Sequence, residues 1–538
     1  MLLRAPRPLV RGRRLACLAA LVVGSAGLVP TAAAAPRVRY DGDVVVALAA
    51  TDPNTRAALE AMGIVPWADH PGEHFLARVP SRARAALDAS GFAYRVVDPD
   101  LQATLDAELA TRSRHGGEPE GPVEGWEDGF HRFEEVLERL DTLAAAAPEL
   151  VTIVEIGESA QGRPIRGLRI ARDSELPVVL LNSCQHAREW LSVSTTLEIA
   201  GALVDSASEA EASVAAVPPD TAADIEALLD RVAFVLVPVV NPDGYVYTWD
   251  VDRLWRKNRS DDDGVDLNRN WGLAFGGPGS SDDPTSNNYR GVAAFSEPET
   301  AALRDFMLGE ERLAAHFDFH TFGQLVLYPW GFGEALSPDD DEFDPLAAEL
   351  AGVLSEVHGE YYEPRRAGTW YPASGNMLDW AYGALGVRSF TIELRPMDAE
   401  TSAIGFMASA TEIVPTGREA LAGVLAVAGW AAELPTLPPG DDGDAPSIPP
   451  SGDGAGSSST SDAGEDGPPG DASSTSSAVG TDATPSDADG GAAKPIDPPD
   501  ACTCRSSRSA PAPWWALCLF AAMRPRRRLR RSAESRRR

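Results

Sequence analysis

From Asp43 to about Leu101, short β-branched and aromatic runs alternate with stretches whose apolar residues return every three to four positions. The pattern predicts a strand over 44–49, a helix over 54–62, a strand over 74–79, a helix over 82–90 and a strand over 93–97, together a small open α/β sandwich. Residues 102–125 are polar and helical in character and turn into Arg112-Ser-Arg114-His-Gly-Gly, a flexible basic segment open to a trypsin-like protease. From Trp126 to about Glu433 the rhythm changes. Runs such as Pro177-Val-Val-Leu-Leu and Val232-Ala-Phe-Val-Leu-Val-Pro-Val-Val are apolar on both faces, as central strands of a covered sheet must be, and they alternate with amphipathic stretches such as 192–204. A large α/β domain with a mixed or parallel sheet is expected, with its active site beyond the strand ends.

A chain of 538 residues and 57.0 kDa, 44% hydrophobic, is too long for one ordinary domain but can bury a large core over part of its length. After Leu434 the composition shifts to Pro, Gly, Ser, Thr and Asp, with Lys494 the lone basic residue before Arg505. Such a stretch buries too little apolar surface to fold. The formal net charge of −33 argues against nucleic acid, though much of that excess sits in this spacer. Arg4, Arg7, Arg11, Arg13 and Arg14, followed by an apolar run from Leu15 to Val29 and then Ala32 to Ala35, have the layout of a cleaved secretory signal. The expected organisation is a signal peptide (1–35), a pro-segment (36–115), a catalytic domain (126–433), an acidic linker (434–500) and a Cys/apolar/Arg tag (501–538).

Of five cysteines the folded body keeps Cys184 alone, so no internal disulfide staples it, and Cys184 itself is expected to be a small buried filler. Beside it stand His186 and Glu189, in Cys184-Gln-His186-Ala-Arg-Glu189-Trp190, at a predicted strand-to-helix turn. A catalytic zinc takes three protein ligands and keeps a position open, and the candidate third ligand is His320, at the end of the apolar strand Phe317-Asp-Phe-His320.

Eight motifs then occur in one order: His186-Ala-Arg-Glu189-Trp190, Asn241-Pro-Asp-Gly-Tyr245, Trp255-Arg-Lys-Asn-Arg259, Asp266-Leu-Asn-Arg-Asn-Trp271, Tyr289-Arg-Gly291, Phe295-Ser-Glu-Pro-Glu299, His320-Thr-Phe322 and Thr391-Ile-Glu393-Leu-Arg395. Over about Trp126 to Glu433 the chain resembles the metallocarboxypeptidase A/B family. The resemblance implies an α/β/α sandwich with a mixed sheet, preceded by a small open sandwich like the family's activation domain. It implies one Zn2+ held by His186, Glu189 and His320, with Asp266 behind His186 to fix its ring. Glu393 corresponds to the general base that takes a proton from the attacking water, and Arg256 to the arginine that stabilises the oxyanion. Asn268 and Arg269 match the pair that receives a free C-terminal carboxylate, and Tyr371, in Trp370-Tyr-Pro-Ala-Ser-Gly, the tyrosine that closes over it. Leu378 matches the floor of the specificity pocket, where relatives that prefer basic residues carry an acid, so apolar or aromatic C-terminal residues are the expected substrates.

Two departures bear on specificity: Phe322 stands where many relatives have tyrosine, and Asn376-Met377 replaces a small pair. The expected partners are peptides and proteins with a free C-terminal carboxylate and an activating protease. The tail, with Cys502 and Cys504, an apolar run from Ala510 to Met523 and an arginine cluster, resembles the sorting tags of some Gram-negative bacteria and implies a secreted or surface-attached bacterial enzyme. A zinc peptidase of cell-wall peptides and a non-catalytic surface peptide-binding module are the alternatives; Asn268, Arg269 and Tyr371 weigh against the first, Glu393 against the second.

Overall fold

The computed structural model describes residues 36–48, 58–69, 75–115, 126–207, 218–397 and 404–433. The expected signal peptide, linker and tag lie outside the described residues, as do residues 54–57 of the helix expected over 54–62, of which residues 58–61 are helical.

The N-terminal segment forms β1 (Val44–Leu48), β2 (Val65–Asp69), β3 (Phe75–Val79) and β4 (Tyr94–Asp98), an antiparallel sheet in the order β2-β3-β1-β4, with helices α1 (Arg84–Ser90) and α2 (Leu101–His115). Strand β2 was not expected, because Val65-Pro-Trp-Ala-Asp carries a proline. It is tolerated on this edge strand, where the register slips between Pro66 and Ala68. Helix α2 runs through Arg112 and Arg114 to His115, so the expected protease-accessible link is helical there, and residues 116–125 lie outside the described residues.

The body begins with α3 (Phe133–Ala146), and its eight-stranded sheet comprises β5 (Val151–Glu158), β6 (Pro164–Ile170), β7 (Val178–Ser183), β8 (Ala233–Val237), β9 (Leu313–Thr321), β10 (Leu325–Tyr328), β11 (Glu363–Arg366) and β12 (Arg388–Leu394), in the order β11-β10-β12-β9-β7-β8-β6-β5. The central run β12-β9-β7-β8 is parallel, and antiparallel pairings at β10, β6 and β5 make the sheet mixed. Both faces are covered. Val179 and Leu181 point into a core shared with α3, α4 (Trp190–Ala207), α8 (Asp340–His358) and α10 (Ile413–Ala431). Val178 and Leu180 point the other way, toward Leu303 and Met307 of α7 (Pro298–Gly309) and Trp380 and Ala381 of α9 (Met377–Leu385). Two further helices are α5 (Pro219–Leu229) and α6 (Pro242–Asp250). Two cores on either side of one sheet explain why β7 reads as a continuous apolar run. This is the three-layer α/β/α sandwich expected from the sequence. Among the described residues no helix is long and apolar enough to cross a membrane.

The N-terminal sheet packs on the body through a third apolar cluster. Tyr40, Val45, Ala47, Trp67, Leu76, Leu101 and Leu105 meet Leu254, Phe322, Phe406 and Met407 of the body. Trp67 and Phe406 stand edge to face at 5.5 Å, and Phe406 and Phe322 do so at 5.0 Å. Polar bonds flank the cluster: Val38 N donates to Val251 O at 2.8 Å, Tyr40 Oη to Asp252 at 2.5 Å, and Arg253 meets the Glu108 carboxylate.

Candidate metal centre

Strand β7 ends at Ser183, and Cys184 takes a φ of 60°, the left-handed region that favours glycine, where it is fully buried. Its carbonyl accepts from Asn241 N at 3.1 Å. This kink carries the chain through His186 and Glu189 before α4 begins at Trp190, so the two residues sit in a turn and not in the first helical turn; Glu189 N donates to His186 O at 3.3 Å. Burial pushes the Cys184 thiol well above its ordinary value, which leaves it an inert filler.

Motif residues farther from the centre hold its loops. Asn241 caps α6 by accepting from Gly244 N at 2.9 Å, and its amide donates to Gln185 O and Lys257 O at 3.0 and 3.1 Å, tying the turn of His186 to the loop of Arg256. A side chain at Gly244 would meet Lys257 O at 2.5 Å, which reserves that place for glycine. Asn258 donates to Glu297 and Glu299 at 2.8 and 3.1 Å, so the Phe295-Ser-Glu-Pro-Glu299 motif clamps the same loop.

His320 lies in β9, one strand away from β7, and its ring comes to the turn of His186 and Glu189. His186 Nδ1 is 2.9 Å from Glu189 Oε1, His320 Nδ1 is 2.9 Å from Glu189 Oε2, and the two Nδ1 atoms are 3.0 Å apart. All three side chains are buried. Each imidazole directs its other nitrogen at a carboxylate, His186 Nε2 at Asp266 Oδ1 (3.0 Å) and His320 Nε2 at Asp318 Oδ2 (2.9 Å). With both Nε2 atoms serving as donors, two Nδ1 lone pairs face one another beside a carboxylate, an arrangement that a cation placed among them relieves. Donor atoms of the three residues all lie within 4.8 Å of one another, and a set of two imidazoles and one carboxylate suits zinc with a position left open. The residues present therefore fit the metal.

Asp266 is fully buried and links several parts of the centre. Besides His186 it accepts from Asn268 N at 3.0 Å and from Arg256 Nε and Nη2 at 3.1 and 2.9 Å. Burial pushes its carboxyl up, but Arg256 and His186 outweigh that and hold it well below the usual range. Arg256 Nη1 stands 4.0 Å from Glu189 Oε1, at the edge of the metal cluster.

Sheet register decides where Glu393 falls. Strand β12 pairs with β9 so that Ser389, Thr391 and Glu393 stand beside His316, Asp318 and His320. Side chains two apart share a face, so these six form one polar layer, while Phe317 and Phe319 point into the opposite core. Glu393 is buried, and burial pushes its carboxyl up to about 8 against the pull of His320. Burial likewise pushes the His316 imidazole down to about 4, which keeps it neutral.

Asn268 accepts from Met377 N at 2.9 Å, and its Nδ2 lies 3.2 Å from His320 Nε2. Arg269 is buried and anchored through Nε to Gly279 O (3.0 Å) and Nη1 to Asn268 O (2.6 Å), with no partner to Nη2 among the described residues. Tyr371 is half-buried, its ring beside that of Trp370 at 4.5 Å. Leu378 is buried in an apolar group with Leu325, Leu327, Ala367 and Trp370, the residue before Tyr371. Asn376 turns its amide inward, capping α9 through Asp379 N at 2.7 Å and donating to Asp379 Oδ2 at 2.9 Å. The Phe322 ring, which has no hydrogen-bonding atom, joins the apolar cluster that contains Trp67.

Sequence reasoning passed over Asp318, Gln185 and Asn182. The signal was present as period-two alternation in His316-Phe-Asp318-Phe-His320, polar side chains on one face of an otherwise apolar strand. It also passed over Asp252 and Arg253, whose partners come from the distant N-terminal segment.

A mixed, doubly covered sheet with a His/Glu/His cluster at the ends of its central strands defines a metallohydrolase. The family model for zinc carboxypeptidase (Peptidase_M14) matches residues 136–423, and the chain belongs to this family. It is similar to carboxypeptidase A2 of Rattus norvegicus, 34% identical over 366 residues that cover 66% of this chain and 83% of the relative. Carboxypeptidase B of Astacus astacus is 35% identical over 314 residues, 56% of this chain and 97% of the relative. Among solved structures, carboxypeptidase A from Helicoverpa armigera superimposes with a TM-score of 0.63 at 28% identity, over 73% of this chain and 98% of that one. The protein is a metallocarboxypeptidase, a hydrolase of peptide bonds whose cofactor is one zinc ion.

Proposed function

We propose that this enzyme removes single residues from the C-termini of peptides and proteins, with a preference for apolar or aromatic ones, and that its N-terminal segment restrains it until cleavage. The observation that carries the first part is the register that sets Glu393 beside His320, because a module that only bound peptides has no use for a buried carboxylate there. His186, Glu189 and His320 would hold the zinc, which when bound supplies Lewis acidity and lowers the pKa of water at that place to about 7. Glu393 takes the proton from the attacking water and passes it to the leaving amine. Arg256, held against Asp266, offers its guanidinium to the oxygen that becomes negative in the transition state.

Arg269, pinned through Nε and Nη1, presents Nη2 to the terminal carboxylate together with Asn268, and Tyr371 closes over it. Such recognition of a free α-carboxylate makes the enzyme an exopeptidase. The apolar group around Leu378 supports an uncharged terminal side chain, since a buried cation there would lack a carboxylate. With Asn376 committed to its helix cap, that preference is sharpened.

Leu254 and Phe322 lie two residues from Arg256 and His320, and the N-terminal sheet covers both. That supports a pro-segment seated on the rim of the cleft, released by cleavage near Arg112 or Arg114 once the end of α2 unwinds. Export through residues 1–35 and attachment to a bacterial surface through 501–538 complete the proposal. To test its catalytic core, the purified body is incubated, with and without chelator, with peptides that differ only in their last residue. Chelator-sensitive release of one terminal amino acid at a time is expected. Internal cleavage, or release that requires a blocked terminus, would refute it.

A further inference from the structure

We infer that Asp318 is a positioning residue for zinc: it holds the His320 ring so that Nδ1 faces the metal, as Asp266 does for His186. The inference rests on His320 being a ligand. Asp318 is fully buried, and its oxygens receive three donors, His320 Nε2 at 2.9 Å and Gln185 Nε2 at 2.6 Å on Oδ2, and Asn182 Nδ2 at 2.7 Å on Oδ1. An acceptor-only group surrounded by donors is an ionised carboxylate.

The direction of these bonds is itself determined. The indole Nε1 of Trp271 is a donor only, and it meets Gln185 Oε1 at 3.0 Å, so the amide nitrogen of Gln185 is the end that faces Asp318. On the other side, Asn182 Oδ1 meets His316 Nε2 at 2.7 Å, while His316 Nδ1 is 2.8 Å from Ser389 Oγ. Asn182 of β7 and Gln185 of the turn after it thus hold Asp318 from both sides, and His316 and Ser389 stand behind Asn182. Its Oδ2 fixes the His320 tautomer with the proton on Nε2, orients the ring and raises the basicity of Nδ1. Both imidazoles of the centre then carry a carboxylate behind them, which makes the site electron-rich and its metal slow to leave.

The test is zinc affinity, measured by competition with a chromophoric chelator, alongside the melting midpoint of the metal-free protein. Asp318→Asn is expected to weaken zinc binding about 10- to 100-fold, with little change in the metal-free midpoint. Gln185→Leu, which removes a donor to Asp318 and leaves its charge, is expected to weaken binding by less, and it serves if Asp318→Asn does not fold. A lowered metal-free midpoint with unchanged zinc affinity in these variants would assign Asp318 a structural role only and overturn the inference. His320→Ala separates this from failure of the site itself. If that variant keeps zinc, His320 is no ligand and the site assignment falls; if it loses zinc while Asp318→Asn binds like the parent, the inference alone falls.

Discussion

Replacing Glu108 by Gln perturbs the seam between the N-terminal sheet and the cleft at one point. Arg253 offers Nε and Nη2 to the two oxygens of Glu108 at 3.1 to 3.2 Å, with side chains only 8% and 14% exposed. Glutamine keeps the shape and one acceptor but removes the charge. Arg253 would not be orphaned, because it also donates to the carbonyls of Arg188 and Phe406, each at 2.8 Å, and lies over the Trp190 ring at 3.9 Å. The loss should therefore fall short of the about 3–5 kcal/mol that attends a buried charge left alone, and sit near the about 1.5–3 kcal/mol of one hydrogen bond to a charged group. If that falls on the docking equilibrium, the undocked fraction rises about 10- to 150-fold, at about 1.4 kcal/mol per factor of ten. The assay is the initial rate at which the intact chain releases a C-terminal residue, divided by the rate of the same sample after cleavage in the link. The ratio should rise at least about tenfold, while the rate after cleavage is unchanged, since Glu108 departs with the pro-segment. An unchanged ratio in a variant that still melts like the parent would refute the idea that this contact restrains the enzyme.

Glu393→Gln should lower turnover at least about a hundredfold while zinc content stays at one per chain; near-normal turnover in the loaded variant would remove Glu393 from the mechanism. Peptides ending in Phe or Leu should be hydrolysed faster than those ending in Arg, and Leu378→Asp should reverse the order by supplying a carboxylate to a buried cation; faster release of Arg by the parent would show that Leu378 does not face the terminal side chain. In fractionated cells, the full chain should give a surface-bound form that a version ending at Pro435 lacks, and equal release of both into the medium would dispose of the tether.

The chain's own alternation identified the covered sheet, because a strand buried on both faces must be apolar throughout, as Val178 to Leu181 are. The order of short motifs likewise brought out His186, Glu189 and His320 as candidate ligands and named the other candidates, since chemistry of that kind needs particular residue types whatever surrounds them. Other features depended on neighbours remote in sequence. Strand β2 hides behind Pro66, whose missing donor is harmless only on the edge that the finished sheet provides. The seam of Trp67 against Phe406, and of Glu108 against Arg253, joins residues more than a hundred apart in the chain, a pairing no local pattern encodes. Asp318 shows the division most clearly. Its alternation with Phe317 and Phe319 is written in the sequence, but its meaning is not, because only the parallel register of β7 and β9, with the turn that follows β7, brings Asn182 and Gln185 to the carboxylate that His320 meets.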